Sequence, residues 1–264
     1  MAKASVFHEG VLHVCESQRV LSQSDVSGRS VTSILFTPAL ALIYGLYEHF
    51  GTAAHFALRK PLVLDYPPTS RCLAGIKVGA KRWKEAPSVA TPTSEMFSVR
   101  SHPCFPPLPA QSEVFWHEPV CYEGFLQDES HAAEALFARM AQFQSSGPLH
   151  ARHRNVHAFL VAADGRILLE ARNTNAVNRM RHAEVNLLHA WWARMGSPPP
   201  CDAWVAVSLK PCRMCAALLF EATRREGRAP IAIRYLEDDT GPLAARTAYE
   251  IEPEARGRMR RING

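Results

Sequence analysis

Two short segments, RHAEVNLLHA at 181–190 and SLKPCRMCAA at 208–217, determine how this chain is interpreted. Both are predicted to lie where a helix begins. An apolar helical pattern starts near His182, and Pro211 favours a first helical turn because its missing N–H costs nothing there. Cys212 and Cys215 are three residues apart, so their thiols lie on one face of the same turn. The sequence therefore places its most reactive side chains at two helix starts.

These side chains form a ligand set that zinc accepts. His182, Cys212 and Cys215 would leave a fourth position for water, which is the arrangement of a catalytic zinc. The free N–H groups and dipole of a helix start favour the thiolate, the form that binds metal. Glu184 follows His182 by two residues, can reach that water without being a ligand, and fits a general acid/base.

A Cys-x-x-Cys pair by itself is also typical of redox sites and of structural zinc sites. A closed structural site would need a fourth ligand, and Cys201 is the nearest spare thiol in the sequence. Cys201 precedes a predicted strand, whereas Cys212 follows it, so extended chain separates them. This separation favours the catalytic interpretation.

The second half of the chain alternates between helices and strands. A helix is predicted over 129–143, with Leu136, Phe137, Met140 and Phe143 on one face. Strands at 156–163 and 166–171 flank the turn signal Asp164-Gly165. They are followed by a helix from 182 to 195, a strand at 204–209, a helix opening at Pro211 and a strand at 230–236. This order predicts an α/β domain whose sheet has a parallel portion covered by helices.

Composition excludes several classes of protein. The 264 residues are 47% hydrophobic and 21% charged, which excludes a disordered chain, a collagen-like repeat and a coiled-coil rod. The seven cysteines are too few for a disulfide scaffold, and an odd number cannot all pair with one another. The sequence shows no secretion signal and no apolar run long enough to span a membrane, so we expect a cytoplasmic protein with reduced thiols and no membrane partner. The net charge of +5 permits a polyanionic partner.

Proline content predicts two domains. Residues 86–119 are rich in proline and serine and are predicted to form a linker or a wrapping loop. We place the boundary near residue 125, with an N-terminal accessory domain over 1–125 and a second domain over 126–264. The run Lys81-Arg82-Trp83-Lys84 suits either nucleic acid or an exposed turn. A basic tail of four arginines (Arg256, Arg258, Arg260 and Arg261) suits either a phosphodiester strand or a solvated terminus.

The two motif segments resemble those of the cytidine deaminase-like superfamily, whose His-x-Glu and Pro-Cys-x-x-Cys signature they contain. A histidine as first ligand is similar to the branch of tRNA adenosine deaminases and polynucleotide cytosine deaminases. The Pro-Cys-x-Met-Cys-Ala motif is most similar to the corresponding motif of tRNA adenosine deaminases. The resemblance covers about residues 126–240 and implies a three-layer α/β/α domain with a mixed sheet. A preceding smaller α+β domain resembles the architecture of bacterial deaminases with an extra N-terminal domain.

The resemblance also implies roles for individual residues. Glu184 would move protons between a zinc-activated water, the ring nitrogen and the departing ammonia. The backbone N–H of Ala183 would bind the base. An asparagine between the second strand and the catalytic helix would hold the sugar or base, and Asn173 is favoured over Asn175 and Asn178.

The predicted function is hydrolytic deamination of a base within RNA or single-stranded DNA, with adenine slightly favoured over cytosine. Arg213 is expected to contact the substrate, because phosphate contacts supply most of the affinity for nucleic acid. Two alternatives stay open: a deaminase of free nucleosides, nucleotides or bases, and a non-catalytic nucleic-acid-binding subunit with structural zinc. The resemblance further implies a homo-oligomer.

Overall fold

The computed structural model describes residues 2–17, 37–80, 82–85, 98–101, 114–116, 126, 128–142, 154–176, 178–195, 197–224 and 229–262. The chain divides into two compact units. The first unit comprises Met1–Pro107 together with Val177–Met180, and the second comprises Leu108–Ala176 together with Arg181–Gly264. No helix in these described ranges is both long and apolar enough to cross a membrane.

The first unit is a five-stranded sheet with helices packed on it. Its strands are β1 (Ala2–His8), β2 (Val11–Ser17), β3 (Leu62–Leu64), β4 (Trp83–Glu85) and β5 (Ser98–Ser101), in the order β4-β3-β1-β2-β5. Its helices are α1 (Pro38–Phe50), α2 (Ala54–Ala57) and α3 (Ser70–Gly79). The apolar helix α1 packs on β1, β2 and α3 and is mostly buried. This unit agrees with the α+β expectation.

Two glycines of α3 allow this helix to pack closely against α1. A Cβ added to Gly75 would lie 1.9 Å from the Leu40 Cδ2 atom, and one added to Gly79 would lie 2.4 Å from the Ile43 Cγ2 atom. The same two glycines face Met180, whose Sδ atom would be 3.3 Å from the added Cβ at Gly79. Met180 is fully buried. It therefore belongs to the core of the first unit, although it stands far along the sequence.

Asn178 connects residues 178–180 to the rest of the first unit. Its buried side chain donates a hydrogen bond from Nδ2 to the Glu48 carboxylate at 2.7 Å. Its Oδ1 accepts a hydrogen bond from the Met180 backbone N–H at 3.0 Å. The chain therefore contributes to the first unit at residues 178–180 and enters the second unit again at Arg181.

The second unit has a six-stranded mixed sheet. Its strands are β6 (Val114–Trp116), β7 (His157–Val161), β8 (Ile167–Arg172), β9 (Trp204–Leu209), β10 (Ala232–Glu237) and β11 (Met259–Arg261), in the order β11-β10-β9-β7-β8-β6. Its helices are α4 (Glu129–Gln142), α5 (Ala183–Met195), α6 (Arg213–Thr223) and α7 (Ala248–Ile251). Strand β7 is antiparallel to β8 and β9, whereas β9, β10 and β11 are mutually parallel. The predicted element order and the parallel portion are confirmed.

Helices cover both faces of this sheet. Leu136 of α4 packs with Phe159 and Val161 of β7 on one face. Side chains alternate along a strand, so the fully buried Ala158 and Leu160 point to the opposite face, where α5 contacts β7 and β8. The three-layer α/β/α arrangement predicted for this domain is therefore present.

The face predicted for α4 needs one correction. Phe137 was assigned to the buried face with Leu136 but is 54% exposed. The buried positions are Ala132 and Leu136, one helical turn apart, and small alanines let α4 approach the sheet. Phe143 lies outside the described residues. Trp191 and Trp192 of α5 are both buried and belong to the core.

Two short strands lie within 86–119, where the sequence predicts a linker. β5 pairs with β2 of the first unit, and β6 pairs with β8 of the second. Both are edge strands, the position in a sheet that tolerates nearby proline. Because β6 joins the second sheet, it belongs to the second unit. The domain boundary near residue 125 stays a prediction.

The predicted basic tail is also part of the sheet. Met259–Arg261 form β11, which pairs with β10. The Arg258 and Arg261 side chains donate to the backbone carbonyls of Pro230 and Leu236, and Arg260 pairs with Glu129. Three of the four arginines therefore have partners within the chain, although the side chains of Arg260 and Arg261 are more than half exposed.

Candidate active site

The carboxyl ends of two strands bring the two motifs together. β8 and β9 are both antiparallel to β7, so they run in the same direction and end at the same edge of the sheet. The chain after β8 leads to α5, and β9 leads directly to α6. The His182 carbonyl accepts the Asn186 N–H at 2.9 Å, and Cys212 is the N-cap residue of α6. α5 therefore begins next to His182, as the sequence predicts, whereas α6 begins at Arg213, two residues later than predicted, and Pro211 lies outside the helix.

The three predicted ligands converge. The His182 Nδ1 atom lies 3.6 Å from the Cys212 Sγ and 3.4 Å from the Cys215 Sγ, and the two Sγ atoms are 3.7 Å apart. Tetrahedral zinc with ordinary bond lengths would require separations of about 3.5 Å for nitrogen to sulfur and about 3.8 Å for sulfur to sulfur. The donor set therefore fits zinc in both chemistry and spacing. It is the only such cluster of three or more candidate ligands among the described residues.

The ligands are electrostatically coupled. A hydrogen bond from the Cys215 thiol and the nearby His182 hold the pKa of the Cys212 thiol well below its usual range, against the effect of burial. Burial and the Cys212 thiolate raise the pKa of Cys215. Burial opposes protonation of His182, but the Cys212 thiolate and the Glu184 carboxylate outweigh it and raise the pKa of His182 to about 9. A metal cation would therefore replace protons held by this cluster.

Glu184 lies in the first turn of α5 beside these ligands. It is 4% exposed, and this burial raises the pKa of its carboxyl to about 7, against the opposing effect of His182. A carboxyl that is half-protonated near neutral pH can both accept and donate a proton, which is what an acid/base catalyst requires.

A pocket opens over His182, Glu184 and Cys212. Asn173 and Asn175 line it, together with Arg154, Val156, Leu209, Lys210 and Asp239. The Asn173 Nδ2 atom donates to the Arg154 carbonyl and to the Asn175 Oδ1. The Asn173 Oδ1 is buried and receives no hydrogen bond from any described residue. Asn173 thus lies beside the metal ligands, as the resemblance implies.

The other predicted substrate contacts are placed as follows. Ala183 is fully buried at the first position of α5, where a backbone N–H has no partner within the helix. The Arg213 guanidinium donates through Nε to the Ala245 carbonyl at 2.5 Å and does not line the pocket. Asn178, the third candidate asparagine, belongs to the first unit and bonds Glu48.

Sequence reasoning missed two charged residues at the pocket. Arg154 and Asp239 both line it, and their side chains form an ion pair at 2.5 Å. The position of Asp239 had a usable signal, because it follows β10 and the parallel strands β9 and β10 end at the same edge. Lys210 also lines the pocket and pairs with Glu250 at 2.7 Å.

Comparison with known proteins gives consistent likenesses. No curated protein matches the sequence significantly. A tRNA:A34 deaminase studied for A-to-I editing at the wobble position is 21% identical, with a TM-score of 0.35 over 51% of this chain and 98% of that one. A deaminase/reductase from Thermotoga maritima, named for diaminohydroxyphosphoribosylaminopyrimidine, is 19% identical, with a TM-score of 0.38 over 51% of this chain and 37% of that one. A guanine deaminase from Nitrosomonas europaea is 19% identical, with a TM-score of 0.31 over 50% and 69% of the two chains.

Residues 147–263 match the Bd3614-like deaminase family. The matched range contains both helix starts, all three metal-ligand candidates and Glu184. It also contains the five strands from β7 to β11. The part of the second unit that contains both motifs therefore resembles the Bd3614-like deaminase family.

Proposed function

We propose that the chain is a zinc-dependent hydrolytic deaminase of a nucleobase in nucleic acid. The observation that carries this proposal is the convergence of His182, Cys212 and Cys215 at zinc-like spacing, with the buried Glu184 carboxyl beside them. Three protein ligands leave a fourth position for water. A binding-only subunit with structural zinc would not need an acid/base carboxyl at that position.

The chain's residues supply the proton transfers. When bound, zinc lowers the pKa of water at the open fourth position. Glu184 accepts a proton from this water and delivers it to the ring nitrogen next to the amino-bearing carbon. It then takes part in protonating the leaving amine, so that water and an aminated base become a carbonyl base and ammonia. The pKa of about 7 for Glu184 suits both directions of transfer.

Two backbone and side-chain groups orient the base. The Ala183 N–H is a free donor at the start of α5. The Asn173 Oδ1 is an acceptor without a partner among the described residues, and its amide is held by the Arg154 carbonyl and Asn175. An amide held in one orientation can select a donor edge of the base or a sugar hydroxyl. Arg213 would act on the substrate only after releasing the Ala245 carbonyl.

The polymer substrate is supported by charge and by motif. The chain carries a net charge of +5, and Arg154 and Lys210 line the pocket, where each pairs with a carboxylate that a phosphate could replace. The Met214-containing second motif, which resembles that of tRNA adenosine deaminases, supports adenine over cytosine and RNA over single-stranded DNA. A base within a duplex would have to be unstacked or flipped to reach the site.

The first test is sequencing of all RNA and DNA from cells that express either the wild-type chain or Glu184→Gln. We expect A-to-G or C-to-T changes in the wild-type sample alone. The Gln variant should lose turnover by about a hundredfold to ten-thousandfold, because an amide cannot shuttle protons. Glu254→Gln, a change at an exposed carboxylate, is the matched control and should retain activity.

The base and polymer that change would identify the substrate. Equal, unchanged sequence in both samples would contradict the polymer proposal. Ammonia release from free nucleosides, nucleotides or bases by the purified chain would then identify it as a small-molecule deaminase. Zinc retention without turnover on any of these compounds would favour the binding-subunit alternative.

A further inference from the structure

An exposed surface of the first unit combines cations with aromatic rings. Phe56 of α2 is 52% exposed and Trp83 of β4 is 37% exposed, and Arg59, Lys60 and Arg82 are exposed as well. We call these five residues the basic–aromatic surface. Phe56, Arg59, Lys60 and Arg82 line one groove together with Pro61.

The backbone holds the two halves of this surface together. The chain leaves α2, passes through Arg59 and Lys60, and enters β3 at Leu62. The Leu62 N–H donates to the Arg82 carbonyl at 3.0 Å, and β3 pairs in parallel with β4 in the register Leu62 to Trp83. A ladder hydrogen bond thus fixes the loop carrying two of the cations beside the residue carrying the third.

No described acidic side chain compensates the charges of this surface. Within the described part of the chain, nine other lysines and arginines and three histidines do pair with a carboxylate, but Arg59, Lys60 and Arg82 do not. Clustered like charges repel one another, so an anionic partner stabilises them. The exposed edge strand β4 leaves room for an extended partner.

The aromatic rings indicate which kind of anionic partner this surface would bind. The Arg59 guanidinium lies 5.4 Å from the Phe56 ring centroid, and the His55 ring lies 4.1 Å from it. Aromatic faces beside cations are the combination that binds unpaired bases, because bases stack on rings while phosphates contact the cations. A free phosphate has no ring that could stack on Phe56 or Trp83. In a duplex the bases are already paired and stacked on one another, so they are not available to these rings.

We propose that the basic–aromatic surface binds single-stranded nucleic acid. This inference rests on the proposed polymer substrate and extends it to the first unit. Arg59, Lys60 and Arg82 contact phosphates, while Phe56 and Trp83 stack on bases. Affinity therefore comes from two separable sources, one that depends on salt and one that does not.

The test measures binding of a fluorescent single-stranded oligonucleotide of about 20 nucleotides, as RNA and as DNA, to the full chain over a series of salt concentrations. All proteins carry Glu184→Gln, so that substrate is not consumed. Arg59→Gln with Arg82→Gln should weaken binding about tenfold at low salt and reduce the slope of log Kd against log salt by about 1.4, or about 0.7 per cation. The matched control is Lys77→Gln with Arg100→Gln, two exposed cations elsewhere in the same unit, which should change neither.

A second variant separates stacking from charge. Phe56→Ala should weaken binding by about tenfold while leaving the salt slope unchanged, because it removes a ring and no charge. Affinity and slope equal to those of the control pair, in both sets of variants, would overturn the proposal. Binding to anionic lipid vesicles without binding to either oligonucleotide would overturn it as well.

The outcomes distinguish this inference from the proposed function. If the wild-type chain deaminates a polymer while substitutions in the basic–aromatic surface leave oligonucleotide binding unchanged, that result contradicts only the proposal that this surface binds nucleic acid. Surface-dependent oligonucleotide binding by a chain that deaminates only free bases would support the surface and contradict the polymer substrate.

Discussion

Cys212 and Cys215 differ in their ease of ionisation, although both are buried ligand candidates. The pKa of Cys212 is low because the Cys215 thiol donates a hydrogen bond to it and His182 lies nearby. Burial keeps the pKa of Cys215 high. Cys212 therefore loses its proton more readily than Cys215, whose thiolate a bound cation would stabilise. We expect zinc affinity to fall as the pH decreases, since protons compete for the same atoms.

Removing either thiol tests the ligand assignment without reference to any substrate. Cys212→Ser or Cys215→Ser should reduce the zinc content of the purified chain from about one ion to nearly none, since a serine hydroxyl is a poor zinc ligand at neutral pH. Cys201→Ser is the control, because this cysteine is outside the cluster. Elemental analysis after dialysis measures the content. Undiminished zinc in both cluster variants would refute the assignment.

His157 provides a test at a residue remote from the ligands. It is 1% exposed on β7 and faces Glu170, and its burial lowers the pKa of its imidazole from 6.5 to about 4. The folded chain therefore holds this imidazole neutral at pH values where the unfolded chain would protonate it. Its contribution to stability is complete above pH 6.5 and is lost as the pH falls toward 4.

The size of this loss can be measured by substitution. Across pH 6.5 to 4, the free energy of unfolding of the wild-type chain should fall by about 3 kcal/mol more than that of His157→Phe. Denaturant titrations at several pH values give these free energies. His131→Phe, a change at an exposed histidine of α4, should keep the wild-type pH dependence. Parallel curves for wild type and His157→Phe would contradict the inferred cause.

At the scale of elements, the close approach of α1 and α3 depends on glycine. Alanine normally stabilises a helix interior by about 1 kcal/mol relative to glycine. Gly75 and Gly79 should behave in the opposite way, because an added Cβ would meet the fully buried side chains of Leu40 and Ile43. Overpacking of a tight core costs about 1–3 kcal/mol.

We therefore expect Gly79→Ala to lower the free energy of unfolding of the first unit by about 1–3 kcal/mol. Lys77→Ala, at an exposed position of the same helix, should change it by less than about 0.5 kcal/mol. Chemical denaturation followed through a signal from the first unit measures both. A stabilised Gly79→Ala chain would show that α1 and α3 are not in contact as described.

The extent to which elements could be predicted depended on their pattern. β9 was predicted at its observed bounds because six apolar-rich residues lie between a turn and Pro211. β11 was not predicted, because Met259, Arg260 and Arg261 have no apolar alternation and pair only at an edge. The Phe137 error arose because helical periodicity identifies neighbouring positions but not which of them the sheet covers.

At the scale of the whole molecule, the candidate site was predictable because its residues are close together within two short motifs. His182, Glu184, Cys212 and Cys215 came from spacing and donor chemistry. The Arg154–Asp239 pair joins positions 85 residues apart, and a local sequence pattern cannot predict a contact over that separation. The first unit contains no motif with a recognisable function, so the sequence predicted only a smaller α+β domain there.

The first unit is discontinuous in the chain. Its core includes Met180, which is synthesised after all of residues 1–107 and after β7 and β8 of the second unit. During translation, the early part of the first unit must therefore wait with an incomplete core while about 70 further residues leave the ribosome. The next residues to emerge are Arg181 and the metal-ligand candidate His182. The other two ligand candidates, Cys212 and Cys215, emerge about 30 residues later, so the core of the first unit can be complete before the metal centre assembles.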